Sequence, residues 1–97
     1  MENKFILGKY GRLRLRYLQE QKRVDYSLLV VENQLKKHLA DIDKIASERF
    51  DLLMKEYAKK ENITEELKAN NQMEWVGKMN NIKHCVEEII LKELIYV

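Results

Sequence analysis

The chain has 97 residues, 45% hydrophobic and 35% charged, with three glycines, no proline, one cysteine and a formal net charge of +2. This composition excludes a disordered segment and a turn-rich β fold. The lone cysteine, Cys85, excludes an intramolecular disulfide framework, and the absence of any apolar run of about 18 residues excludes a spanning helix. One helical domain over residues 1–97, in the cytoplasm and away from membranes, is expected.

The charge is unevenly placed. Residues 1–23 hold seven Lys or Arg against two acids, and residues 24–97 hold eleven against fourteen. Met1–Leu7 is too short and mixed for a signal peptide, with Phe5, Ile6 and Leu7 free to pack on the body. The first helix is predicted from Gly8 to Gln21, with Tyr10, Leu13 and Tyr17 on one face, widened by Leu15 and Leu18. Lys9, Arg12, Arg16 and Arg23 form a second stripe, while Arg14 lies about 200° around the helix from Arg12. Asp25 is the expected cap of a short helix over Tyr26–Glu32, and Asn33 the turn that ends it. The run Leu28-Leu29-Val30-Val31 has no polar side and could be a strand. Helix is preferred because no second strand exists to pair with it.

A long helix follows from Gln34 to Lys60, with Leu35, Leu39, Ile42, Ala46, Leu53 and Tyr57 inward and Arg49 filling the gap. Ile45, Phe50, Leu52 and Met54 broaden that face. Asn62 and Glu65 read as a capping pair that opens a last helix from Ile63 or Thr64 to Ile95. Its seam is Gln72, Trp75, Met79, Ile82, Val86 and Ile89, with Gly77 a soft point.

These lengths predict an all-α protein: a long antiparallel helical hairpin with two shorter N-terminal helices packed against it. A helix of this length spans roughly 40 Å, against a radius of gyration near 13 Å for a compact domain of this size. Two short helices cannot cover such a hairpin. The C-terminal run is apolar on several faces, so Ile89, Ile90, Leu94 and Ile95 are expected to form a homodimer interface.

Catalytic chemistry is not expected. His84 and Cys85 are neighbours about 100° apart on a helix and cannot chelate one ion, and zinc needs four ligands. Asp41, Asp43, Glu87 and Glu88 sit on heavily charged faces with no cleft in prospect. No glycine spacing makes a phosphate loop. No catalytic residue, metal ligand or cofactor is therefore assigned. Trp75 and Met79 read as an ordinary core contact, and Asn80 and Asn81 as facing water.

The basic segment is the one functional signal. Lys9, Arg12, Arg14, Arg16, Lys22 and Arg23, with Tyr10 and Tyr17 among them, could follow a nucleic-acid backbone. They could equally meet an acidic protein or anionic lipid, or form a solvated face.

The segment Gly8-Lys9-Tyr10-Gly11-Arg12-Leu13-Arg14-Leu15-Arg16-Tyr17-Leu18 resembles the opening motif of the TnpV family, small proteins encoded on transposons of clostridia and related Gram-positive bacteria. Leu39-Ala40-Asp41-Ile42-Asp43 resembles its central helix. Residues 71–81 and 87–96 resemble its C-terminal signature. The chain departs from the pattern at Arg23-Val24, where Arg-Pro is frequent, and at Gly77, where a longer side chain is usual. It also lacks an N-terminal segment that members often carry. The resemblance implies a mobile-element setting. It suggests a DNA-binding accessory to transposition, similar to an excision factor. The alternative is a helical adaptor that binds a transposon recombinase or another protein without contacting DNA.

Overall fold

The computed structural model of the protein describes residues 7–97. It contains α1 (Lys9–Gln21), α2 (Arg23–Val31), α3 (Leu35–Lys60), α4 (Glu65–Asn70), α5 (Gln72–Ile90) and a closing π turn, Leu91–Ile95. No strand occurs among the described residues. The expected packing of Phe5 and Ile6 lies outside the described residues.

The helix ends follow from residue chemistry. Asn33 and Asn62 have φ values of 58° and 57°, the left-handed geometry that Asn tolerates. At each, the next amide reaches back five residues, Gln34 to Leu29 O at 2.9 Å and Ile63 to Ala58 O at 2.8 Å, which closes a Schellman turn. Asn62 therefore ends α3 rather than capping the next helix as expected. Thr64 is the cap of α4, its hydroxyl accepting from Leu67 N at 3.1 Å. Asp25 is likewise not a cap; α2 starts two residues earlier and places Asp25 in its first turn.

The last helix is not continuous. Asn71 breaks it with φ −148° and ψ 84°. Its side-chain Oδ1 accepts from Glu74 N at 3.1 Å, and its side-chain Nδ2 donates to Glu74 Oε1 at 3.4 Å. The first of these satisfies a backbone amide left open at the break, and the second holds the two side chains together. The hairpin is thus α3 against a bent second arm of α4 and α5.

α3 is the central rod, with α1 and α5 both laid along it. Leu39, Ala46 and Leu53 are buried along its length, with Ile42, Phe50 and Tyr57 partly buried. Ile45 and Leu52 are about half exposed, so the face is narrower than the sequence suggested. Ile82 and Val86 from α5 meet it at 1% and 0% exposure, with Trp75 and Met79 at the edge. The assembly extends over 55 × 33 × 18 Å with a radius of gyration of 17.1 Å, elongated as the helix lengths required.

The π turn changes the reading of the C-terminus. Tyr96 N donates to Leu91 O at 2.8 Å, an i to i+5 bond. In a π turn, residues five apart share a face. Ile90 and Ile95 therefore both point inward and are fully buried, while Ile89 and Leu94 pack against the same core. The run that looked apolar all round is accommodated by a change of helical period within one chain. The surplus of apolar surface that motivated a dimer at Ile89, Ile90, Leu94 and Ile95 is largely absorbed by the fold itself.

Candidate nucleic-acid interface

α1 has no capping side chain of its own, and Gly8 stands at its N-cap. The missing acceptor comes from α3. Gly8 N donates to Asp43 Oδ2 at 2.6 Å and Gly11 N to Asp43 Oδ1 at 3.2 Å. One carboxylate thus holds two of the first-turn amides, at the positive end of the helix dipole. The approach is closest at Gly8 and tight at Gly11. A Cβ on Gly8 would stand 2.7 and 2.8 Å from the carboxylate oxygens, and one on Gly11 would stand 2.8 Å from Leu7 Cδ2 and 3.3 Å from Asp43 Cβ. Asp43, set aside by sequence as a charged-face residue, is a structural cap. The sequence signal was the first helix's lack of a Ser, Thr, Asp or Asn where a cap was due.

This anchoring fixes which side of α1 faces water. Tyr10, Gly11 and Leu18 are buried, and Lys9, Arg12 and Arg16 lie exposed on the other side. Arg12 Nη1 donates to Leu7 O at 2.7 Å and stays at the surface. The Arg16 side chain is 76% exposed, 3.2 Å from Glu20 in an i to i+4 pair of the kind that contributes little and rearranges freely. Lys9 is paired with Glu87 of α5 and remains more than half exposed. Lys22 and Arg23 continue the cationic surface at the α1–α2 junction, exposed and without an ion pair among the described residues.

Arg14 does not belong with them. It is half-buried and turned into the fold, where Nη1 donates to Ile95 O at 2.8 Å and Val97 O at 2.7 Å. Its Nε donates to His38 Nε2 at 3.3 Å. Burial first, then the Arg14 guanidinium, push the His38 pKa down from the ordinary imidazole value, with Asp41 opposing. A neutral His38 is the acceptor this bond requires. Arg14 is a brace between α1, α3 and the C-terminal residues.

Beside Arg16 runs a shallow groove lined by Leu13, Tyr17, Glu20, Gln21 and Tyr96. The Tyr17 and Tyr96 rings lie 5.3 Å apart at 44°. The sequence placed Tyr96 in the C-terminal signature and the apolar C-terminal run but not beside the cations; that place depends on the π turn, which no periodicity announces.

The family model for the transposon-encoded protein TnpV matches residues 1–95. The chain belongs to the TnpV family. A transposon-related role follows. No curated protein and no solved structure matches the chain. The TnpV-like opening motif now has a mechanical account: Gly8 and Gly11 admit Asp43, Tyr10 and Leu18 enter the core, and Arg14 braces the C-terminus. Of that motif, Lys9, Arg12 and Arg16 are the exposed side chains. No described helix is long and apolar enough to cross a membrane.

Proposed function

We propose that this chain serves its transposon as a DNA-binding accessory protein, with a role like that of an excision factor. The contacts are made by Lys9, Arg12, Arg16, Lys22 and Arg23. The observation that carries this reading is the water-facing side of α1. Its three cations stand on a helix locked to α3 by Asp43, and two more follow at the junction. Arginine forks bind phosphate through two hydrogen bonds at once, and a rigid row of them can track a backbone. Arg14 is left out of this set, since its Nε and Nη1 donate to His38, Ile95 O and Val97 O.

The test is a gel shift with transposon-end duplex over a salt series. Five phosphate contacts give a log–log slope of about −4.5, so affinity falls roughly several hundredfold between 50 and 200 mM salt. Reversing Arg12 and Arg16 to Glu lowers the slope by about 2 and leaves the helical content unchanged. Unaltered binding in that variant removes α1 as the interface.

The second reading is a helical adaptor that engages a recombinase or other protein. It is favoured by the apolar surface of α2, where Val24 and Val31 are 74% and 81% exposed. Absence of DNA binding at low salt, to transposon ends and to random duplex alike, leaves this reading in front.

A further inference from the structure

α2 is the anomaly of the fold. It is a mostly apolar helix of nine residues in which none is buried. Val24, Leu28, Val30 and Val31 are between 49% and 81% exposed. A helix with this composition is ordinarily covered. One side of it forms a groove lined by Arg23, Val24, Ser27, Leu28 and Val31. Positions 24, 27, 28 and 31 follow the i, i+3, i+4, i+7 spacing that makes a single helix face.

That face is complementary to itself. Turned end for end about a point between Ser27 and Leu28, Val24 falls on Val31, the small Ser27 falls on Leu28, and Arg23 falls on Glu32. Arg23 and Glu32 are both exposed and neither has an ion pair among the described residues. Two-fold symmetry uses each of these matches twice. We propose that α2 is a self-recognition surface: two copies of the chain pair through antiparallel α2 helices. Val24 of each copy meets Val31 of the other, Leu28 fills the space over Ser27, and two Arg23–Glu32 pairs close the ends. A foreign helix would have no reason to match this reversed order of charge and bulk. The contact shares Arg23 with the DNA-binding reading, but it does not rest on that reading and is measured without DNA.

A nine-residue helix is about 13.5 Å long, so the interface is small and the dimer is of the weak, reversible kind. Sedimentation equilibrium of the full chain, up to roughly 500 µM, should show a species of twice the 11.7 kDa chain mass. Val31→Asp, at an exposed position, should give the monomer mass with unchanged circular dichroism. Met73→Asp is the control, because Met73 is 84% exposed on α5 and outside the contact; it should leave the dimer intact. Arg23→Glu and Glu32→Arg should each weaken association roughly tenfold, since two attractive end pairs become repulsive, and the two together should restore it to within about threefold. A wild-type monomer throughout that range overturns the proposal. So does a Val31→Asp dimer, or a double reversal that fails to restore association.

Discussion

Replacing Asp43 with Ala tests the anchoring of α1 most directly. The variant removes the acceptor for Gly8 N and Gly11 N and withdraws a negative charge from the helix start. A lost N-cap costs about 1 kcal/mol and the charge–dipole interaction about 0.5 kcal/mol more. Together these give a total near 1.5 kcal/mol. With a urea slope of about 1.5 kcal/mol per M, the midpoint followed by circular dichroism should fall by about 1 M. Asp43→Asn keeps one acceptor and should lose about half as much. The decisive measurement is the cycle with Gly8→Ala. The added methyl meets the Asp43 carboxylate in the wild type, and its three nearest contacts are removed once that carboxylate is gone. Coupling between the two substitutions should reach about 1 kcal/mol. If Gly8→Ala costs the same in both backgrounds, the reasoning about the opening motif fails.

Other substitutions probe separate parts of the fold. Arg14→Lys keeps the charge but loses the fork that reaches Ile95 O, Val97 O and His38 together; it should destabilise the chain by about 1–2 kcal/mol while leaving any DNA salt slope unchanged. Because the His38 pKa is lowered in the fold, the unfolded chain takes up that proton first. The associated stability is fully present above the ordinary imidazole pKa and is lost as pH falls from there through the folded value. Urea midpoints at descending pH should show this loss, and His38→Gln should flatten it. Gly77→Ala should stabilise α5 by about 1 kcal/mol, since an added Cβ meets nothing within 4 Å; the gain should appear as a rise in Tm of about 4–8 °C.

The all-helical architecture was legible because periodicity is strong over long segments and breakers are few. Asn33 was recognised as a turn from residue type alone. Asn71 was not, although Asn71 and Glu74 carry the same signature that drew attention to Asn62 and Glu65. A capping pair states that a helix can begin, not that an ongoing one must stop, and only tertiary packing decides between them. The inward turn of Arg14 was half legible: its angle from Arg12 was known, but its partners lie 24, 81 and 83 residues away. Asp43 was misjudged for the same reason, since its role depends on a contact spanning 35 residues. The exposure of α2 could not be read at all, because an apolar run looks the same whether covered or bare.

The π turn has a consequence for how chains of this kind can change length. It holds one residue more per turn than the α-helix that precedes it, so it behaves as a single-residue insertion absorbed in place. Removing one residue between Leu91 and Leu94 would let α5 continue as a plain α-helix. Ile95 would then stand four residues from Ile90, still on its side of the helix. A deletion anywhere between Trp75 and Val86 has no such outlet and would rotate every later side chain by about 100°. Single-residue gaps among homologous chains should therefore collect at this C-terminal turn and avoid the helix before it.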